Sequence, residues 1–274
     1  MQDLKDRVVV VTGAGSGIGR ELALQAASAG ASLALNDFND ATLQETASAI
    51  REQGRPVLCS AFDVGDQEAM DGFAQAVQDE YGRADIVINN AGVALGQMNL
   101  DQVSAEDFRW IVGVNLWGVI HGTMAFMPLL REQARARLVN VCSSFGLLAV
   151  PGQTAYCTTK FAVRGFTDSL RLEMMNTNVG VTLVSPSQVK TNIIRNGRHQ
   201  DESSRDELIR KFDAFMTRMS SAEAATIIWQ GLERNRNHIM VGRDAKLYSF
   251  AARFLPQFVI RAATRRALRK IATQ

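Results

Sequence analysis

The sequence is poor in the residues that hold metals and disulfides. Its 274 residues include three cysteines and three histidines. Cys59, Cys142 and Cys157 are an odd number and lack the Cys-x-x-Cys spacing of a zinc site. The histidines are scattered, without the carboxylate spacing of a metal centre. We therefore expect no metal, no disulfide framework and a reducing, cytoplasmic location.

Long apolar runs and clustered charge are also missing from most of the chain. No run of about 18 apolar residues suggests a membrane-spanning helix. The amino terminus passes through mixed charges into a strand, so we expect no signal peptide. Lys and Arg number 30 and Asp and Glu 28, giving a formal net charge of +2. This balance predicts a soluble protein without a nucleic-acid partner.

Acidic residues are absent from the segment 245–274. Seven basic residues lie there, separated by apolar ones: Lys246, Arg253, Arg261, Arg265, Arg266, Arg269 and Lys270. A basic amphipathic stretch fits peripheral contact with an anionic membrane surface. Packing against a partner subunit and a position over the substrate entrance remain open. Because Pro256 interrupts a long continuous face, docking of a C-terminal helix on the protein itself is favoured.

A glycine-rich turn lies between the first predicted strand and the first predicted helix. The β-branched run 7–11 predicts a strand buried on both faces, and a helical pattern follows the turn through Ala29. Glycines let the backbone approach a pyrophosphate, which the N–H groups at a helix start attract. The turn therefore predicts a dinucleotide site that includes Gly13, Ser16, Gly17, Ile18 and Gly19.

The second predicted strand ends at Asp37. A carboxylate about 20 residues beyond the glycine turn accepts hydrogen bonds from the adenosine ribose and repels a 2′-phosphate. Phe38, rather than a basic residue, comes next. We therefore predict NAD rather than NADP. Two alternatives remain open: Asp37 caps the helix beginning near Ala41, or Arg20 holds the phosphate of NADP.

Tyr156 and Lys160 are four residues apart, so in a helix the phenol and the ammonium lie on one face. A positive charge within about 4–6 Å lowers the pKa of a phenol from its usual value of about 10. This spacing predicts a general acid/base at Tyr156. Ser143, at the end of the preceding strand, is placed to hydrogen-bond the substrate oxygen.

Together these motifs resemble the short-chain dehydrogenase/reductase family. The family has Thr-Gly-x-x-x-Gly-x-Gly after the first strand, a serine thirteen positions before its tyrosine, and Tyr-x-x-x-Lys; this chain has Thr12 to Gly19, Ser143, and Tyr156 to Lys160. Asn89-Asn90-Ala91-Gly92 matches the family's turn after the fourth strand. The resemblance extends to about Gly242.

The resemblance implies roles for further residues. Asn115 would hold a water linking Lys160 to solvent, which completes a catalytic set of Asn115, Ser143, Tyr156 and Lys160. Further cofactor contacts are implied at Asp63, Val64, Asn90, Ala91, Gly92, Tyr156, Lys160, Pro186, Val189 and Thr191. Ser187 departs from the family's glycine and narrows the backbone choices beside the nicotinamide.

Strands, including one at 137–143, alternate with helices through six units. Ser220 to Glu223 then form a capping box that opens a helix, and 238–241 is the final strand. This alternation predicts an α/β fold: a single-domain, doubly wound parallel sheet, or Rossmann fold, with helices on both faces. We assign 1–242 to the catalytic domain, with a substrate lid at about 190–220, and 243–274 to a C-terminal extension. The long helices 104–127 and 154–175 commonly make the family's dimer and tetramer contacts, so we expect a homodimer or homotetramer.

The predicted function is NAD-dependent hydride transfer between nicotinamide and a lipophilic secondary alcohol or ketone. An apolar cleft supports such a substrate, and its expected lining is Val93, Ala94, Leu95, Phe145, Leu147, Leu148 and Val150. We expect direct substrate contact from Ser143, Phe145, Tyr156 and Phe212. The alternatives are an NADPH-dependent carbonyl reductase and a non-catalytic dinucleotide-binding regulator on the same fold.

Overall fold

Seven parallel strands in the described part of the chain form one sheet in the order β3-β2-β1-β4-β5-β6-β7. The structure is a computed structural model that describes residues 4–199, 201–215, 219–256 and 258–259. The strands are β1 (Val8–Thr12), β2 (Ser32–Asp37), β3 (Val57–Ala61), β4 (Ile86–Asn89), β5 (Ala136–Val141), β6 (Val179–Pro186) and β7 (His238–Val241).

Helices connect the strands and cover both faces of the sheet. They are α1 (Gly17–Ser28), α2 (Asp40–Glu52), α3 (Gln67–Tyr81), α4 (Ala105–Val112), α5 (Gly118–Arg131), α6 (Thr154–Glu173), α7 (Glu202–Phe215), α8 (Ser221–Glu233) and α9 (Arg243–Phe254). A π-helical turn, Gly113–Trp117, joins α4 to α5, so the chain is helical from Ala105 to Arg131.

The strands are apolar on both sides because each side packs against helices. Side chains alternate along a strand, and in β1 Val9 and Val11 pack with residues of α1, α2 and α8. Val8 and Val10 pack on the other side with residues of α3 and α5. The predicted doubly wound α/β sheet with helices on both faces is thus confirmed.

The strand order reverses at β1, which lies between β2 and β4. A crevice opens at such a reversal, outside the carboxyl ends of the strands. The glycine-rich turn follows β1 and the Asn90-Ala91-Gly92 turn follows β4, so both border this crevice. The fold thereby brings together motifs about 75 residues apart in the chain.

Among the described residues, one helix, 105–131, is long and apolar enough to cross a membrane by length and composition alone. Half of its most apolar window is buried inside the protein. Its α5 part packs against α3, β4 and β5. Packing in the core therefore accounts for the apolar character of this helix.

Candidate active site

A cavity of about 1340 Å³ runs along the carboxyl ends of the strands. The glycine-rich turn borders one end and the start of α6 the other. Most of the predicted site residues line it: Gly13, Ser16, Gly17, Ile18, Asp37, Asp63, Val64, Asn90, Ala91, Gly92, Ser143, Phe145, Tyr156, Lys160, Pro186, Val189 and Thr191. Gly19 and Asn115 are not lining residues and lie behind the cavity wall.

The glycine-rich turn packs too closely on its neighbours to accept side chains. Gly13 has φ +66°, and a Cβ there would lie 2.8 Å from Cα of Ala91. A Cβ at Gly19 would overlap the carbonyl oxygen of Gly13. Asn90 Nδ2 donates to the carbonyl oxygens of Thr12 at 2.9 Å and Gly13 at 3.1 Å. The turn after β4 thus holds the turn after β1 in place.

The amino terminus of α1 is suited to bind an anion. Ser16, its N-cap residue, makes no capping hydrogen bond with its side chain to any described residue. The first backbone N–H groups of a helix have no partner within the helix, and Ser16, Gly17 and Ile18 all line the cavity. These donors and the positive end of the helix dipole fit a pyrophosphate.

Asp37 shapes the neighbouring end of the cavity. Its Oδ2 accepts from Gly15 N at 2.8 Å and its Oδ1 from Asn39 N at 2.9 Å. Asn39 caps α2 by accepting from Thr42 N at 3.2 Å. The alternative that Asp37 is the N-cap of α2 is therefore wrong, because Asn39 occupies that position.

Basic groups are scarce in the described lining of the cavity. Lys160, at the other end of the cavity, and Arg198 are the basic residues among those lining it. Arg198 stacks on Trp110, 4.3 Å from the ring centroid, and pairs with Asp107 at 2.8 Å. Arg20 is not a lining residue; it pairs with Glu45 at 3.4 Å. Nothing in the described part of the chain therefore favours Arg20 as a phosphate ligand.

Ser143, Tyr156 and Lys160 meet at the start of α6. All three are buried. Tyr156 lies against the Phe145 ring in an edge-on contact, with 6.2 Å between centroids. Lys160 Nζ lies 5.7 Å from the centroid of the Tyr156 ring and donates to Val141 O at 3.3 Å. The structure thus brings together the phenol, hydroxyl and ammonium that the sequence predicted.

Burial shifts the pKa values of both titratable groups. It raises the pKa of Tyr156 well above the usual phenol value, although a hydrogen bond with Ser143 acts in the opposite direction. Burial lowers the pKa of Lys160. The sequence predicted a lowered tyrosine pKa. That direction is wrong for the protein without bound cofactor. Burial removes the Tyr156 phenolate from water, and this effect outweighs the stabilisation of the phenolate by neighbouring groups.

Asn115 lies in the π-helical turn between α4 and α5, a distortion frequent at functional sites. Its Oδ1 accepts from Val93 N at 2.8 Å. Its Nδ2 donates to Val93 O at 2.9 Å and to Thr159 Oγ1 at 3.2 Å. The fully buried amide therefore fastens the turn after β4 to α6. The proton relay implied for Asn115 stays a prediction.

The substrate end of the cavity differs in part from the sequence-based list. Val93, Ala94, Phe145 and Val150 line it. Leu95 and Leu147 are not lining residues, because both are buried in the wall, and Leu148 does not reach the lining either. The backbone of Phe212 lies in α7, but its side chain lies outside the described atoms.

The sequence analysis missed several lining residues, among them Gln188, Leu208 and Tyr248. Gln188 has φ +54°, and its Oε1 is buried without a hydrogen-bond partner among the described residues. Ser187, where the family has glycine, is not among the residues with positive φ, so its backbone conformation is open to a residue with a side chain. Leu208 of α7 and Tyr248 of α9 also line the cavity. The amphipathic patterns predicted their helices but not which side chains face the cavity.

Comparison with known proteins agrees with this architecture. A model of the short chain dehydrogenase family matches residues 7–202. The Mycobacterium tuberculosis protein SadH, named as a candidate oxidoreductase, is 38% identical over 257 residues, 93% of each chain. A short-chain dehydrogenase/reductase from Burkholderia phymatum, solved in complex with NAD, is 30% identical with TM-score 0.84, covering 91% of this chain and 93% of its own.

A metagenomic short-chain oxidoreductase has also been solved, in complex with NADP. It is 30% identical with TM-score 0.65, covering 68% of this chain and 84% of its own. The chain belongs to the short-chain dehydrogenase/reductase family and is an oxidoreductase of that family. The glycine turn and the α1 terminus fit the pyrophosphate of a dinucleotide.

Proposed function

We propose that the protein is an NAD-dependent dehydrogenase/reductase that interconverts a lipophilic secondary alcohol and its ketone. The observation that carries this proposal is the continuity of one cavity from Asp37 and the glycine-rich turn to Ser143 and Tyr156. A dinucleotide along its length would reach from the carboxylate to the phenol. The remaining apolar end leaves room for a substrate at the reacting centre.

The bound nicotinamide supplies or accepts the hydride. In alcohol oxidation, the Tyr156 oxygen takes the hydroxyl proton as hydride leaves the carbinol carbon, and in ketone reduction Tyr156 returns a proton to the carbonyl oxygen. Ser143 orients the substrate oxygen. Lys160 holds the nicotinamide ribose and favours the phenolate when charged. Asn115 holds the Val93 backbone and α6 in fixed positions around these groups through its hydrogen bonds.

NAD is preferred over NADP because the end of the cavity at Asp37 carries a carboxylate. A ribose diol would donate to it, whereas a 2′-phosphate would be repelled. Titration of NADH and NADPH fluorescence against purified protein tests this preference. Asp37→Asn should narrow the preference for NADH over NADPH, because it weakens NADH binding and relieves the repulsion of NADPH. Asp40→Asn, at the exposed start of α2, is the control and should leave that preference unchanged. Tighter NADPH binding by the unmodified protein would favour the carbonyl-reductase alternative.

A lipophilic substrate is supported by the side chains around Tyr156. Val93, Ala94, Phe145 and Val150 form an apolar wall, and Ile193, Ile194 and Leu208 add to it from the segment after β6 and from α7. These apolar side chains offer no hydrogen bonds to the hydroxyls of a sugar, so the wall they form favours a lipophilic substrate. Steroid-like, fatty and retinoid-like alcohols and ketones therefore form the first panel to assay.

The role of Tyr156 separates an enzyme from a non-catalytic regulator. Tyr156→Phe should lower turnover roughly 10²- to 10⁴-fold and leave NADH binding intact. Tyr81→Phe is the matched control, since that phenol is partly buried and donates to Leu33 O, away from the cavity. If the biological activity survived Tyr156→Phe undiminished, the regulator would be the better description.

A homodimer or homotetramer remains part of the proposal. Three large apolar side chains are exposed on this part of the surface: Trp117 in the π-helical turn before α5, Met124 in α5 and Phe161 in α6. A second copy of the chain would cover such side chains. Light scattering should give a mass that is a multiple of the 30.0 kDa chain mass. The double variant Met124→Glu, Phe161→Glu should have a lower mass.

A further inference from the structure

The helix α9 has two distinct faces. Ala245 is fully buried, and Tyr248, one turn later, lines the cavity. The helix packs against β7 and against the turn Ser144–Gly146 that follows Ser143. One face of α9 is therefore part of the wall of the candidate active site.

The outward face of α9 is apolar. Leu247, Phe250 and Phe254 are spaced three and four residues apart, so they share one side of the helix. Each is more than half exposed, as is Phe258 beyond the helix. The rings of Phe250 and Phe254 are in contact, tilted by 41° with 5.0 Å between centroids. A contiguous set of exposed aromatic side chains indicates an interaction surface rather than ordinary solvent-facing helix.

Basic side chains flank this apolar face. Lys246 and Arg253 are exposed and lie seven residues apart, two helical turns along one side. The guanidinium of Arg253 lies 5.6 Å from the centroid of the Phe254 ring. In the sequence, five more basic residues and no acidic residue follow between 261 and 274. The surface therefore combines aromatic side chains with charge of one sign, which complements anionic lipid headgroups.

We infer that the surface formed by Lys246, Leu247, Phe250, Arg253 and Phe254 docks the protein on an anionic membrane. The apolar side chains enter the boundary between headgroups and acyl chains, and the basic side chains pair with the headgroups. Because Tyr248 on the other face lines the cavity, docking brings the cavity close to the lipid phase. The delivery of lipophilic substrate from that phase rests on the proposed function; membrane binding itself does not.

Cosedimentation of the full-length protein with vesicles tests this inference without substrate or cofactor. The protein should be found in the pellet with vesicles of equal parts phosphatidylcholine and phosphatidylserine. It should stay in the supernatant with vesicles of phosphatidylcholine alone. Raising the salt concentration should release it, because screening weakens the attraction. Lys246→Gln with Arg253→Gln should reduce the partition coefficient roughly fivefold for each charge removed.

The apolar face is tested by the triple variant Leu247→Ser, Phe250→Ser, Phe254→Ser, which should lose sedimentation with anionic vesicles. Leu100→Ser is the matched control, since Leu100 is as exposed as Leu247 and lies in a separate 3₁₀ turn. Unchanged far-ultraviolet circular dichroism and NADH binding should show that the triple variant is folded.

Three results would overturn the inference. The first is failure of the unmodified protein to sediment with anionic vesicles at low salt. The second is sedimentation of the folded triple variant equal to that of the unmodified protein. The third is a lower mass of the triple variant in light scattering with no vesicle binding by the parent, which would identify the apolar face as a contact between two copies. Loss of dehydrogenase activity with vesicle binding intact would count against the proposed function alone.

Discussion

At the amino end of the sheet Asp85 is buried among donors, whereas at the carboxyl end Lys160 is buried without a described carboxylate in ion-pair range. Asp85 accepts from Arg7 at 2.6 Å, from Arg83 at 2.7 and 2.9 Å, and from Val8 N at 2.9 Å. Burial alone would raise the pKa of Asp85, but these hydrogen bonds together lower it. Its charge is fully compensated within the fold.

Lys160, unlike Asp85, is buried without a compensating charge among the described residues. It is 2% exposed, and burial lowers its pKa because the described neighbours offer a carbonyl oxygen, Val141 O, but no negative charge. Removing one partner of a buried ion pair is strongly destabilising, whereas a buried charge that has no ion-pair partner itself costs stability. Strained or incompletely satisfied groups are concentrated where a protein binds or reacts. The contrast therefore favours a structural role for Asp85 and supports the proposed role of Lys160 in catalysis.

The largest expected effect is on turnover in Lys160→Met. Methionine fills similar space without a charge, so the free energy of unfolding should stay within about 1 kcal/mol of the parent or rise. Turnover should fall by roughly 10²- to 10⁴-fold, the range of a general acid/base contribution. Steady-state kinetics and urea unfolding measure the two quantities. Lys190→Met, at an exposed lysine outside the cavity lining, is the control.

A Lys160→Met protein that lost several kcal/mol of stability and kept its turnover would reverse the assignment. In that case the ammonium would be a structural group like Asp85, and the position of Lys160 beside Tyr156 would have no catalytic meaning.

The converse variant, Asp85→Asn, should unfold more easily and react normally. Asparagine removes the negative charge between two arginines, a loss of roughly 3 kcal/mol, at the lower end for a broken ion pair because both arginines are partly exposed. Turnover per folded molecule should be unchanged, since Asp85 does not line the cavity. Urea unfolding gives the first quantity. Asp71→Asn, on the exposed side of α3, should change neither.

The pH dependence of the reaction should follow the raised pKa of Tyr156. Below that pKa the phenol carries its proton, so ketone reduction, which needs an acid, should be supported at neutral pH. Alcohol oxidation, which needs the phenolate, should rise with pH by up to about tenfold per unit. The profile of kcat/KM against pH in each direction is the measurement. An oxidation rate that was flat from neutral to alkaline pH would contradict a raised pKa of Tyr156 in the reacting enzyme.

The fold was predictable because its signals are local. Ser220 and Glu223 form the predicted capping box, and α8 begins where that box requires. The predicted strand 238–241 matches β7 because a short apolar run ends at Gly242. The predicted strand 137–143 is instead Ala136–Val141, since the ladder with β6 ends there and Ser143 leaves to begin a turn. Ends of strands depend on the partner strand, which a local pattern does not contain.

The sequence predicted residues that the structure places along one cavity, but it predicted their electrostatics less well. Tyr156 and Lys160 were recognisable from their spacing, but their pKa directions depend on burial by Phe145 and β5, which are remote from the helix pattern. Similarly, an apolar pattern cannot separate Val93, which lines the cavity, from Leu95, which is buried in its wall. Tyr248 was missed because the docked face of α9 is decided by tertiary packing.

The smallest expected effect is the acid dependence of stability at Asp85, and it isolates the charge from the shape of the side chain. Because the folded pKa of Asp85 lies below its unfolded value, its contribution is present above the unfolded pKa of about 3.9 and is lost as pH falls through the folded pKa. The stability difference between the parent and Asp85→Asn should therefore shrink as urea unfolding is repeated at successively lower pH. A protonated carboxyl and an amide have nearly the same shape, so a difference that persisted at the lowest pH would mean that Asp85 acts through packing. In that case the charge of Asp85 would not matter for stability, and the contrast between the paired charge of Asp85 and the unpaired charge of Lys160 would fail.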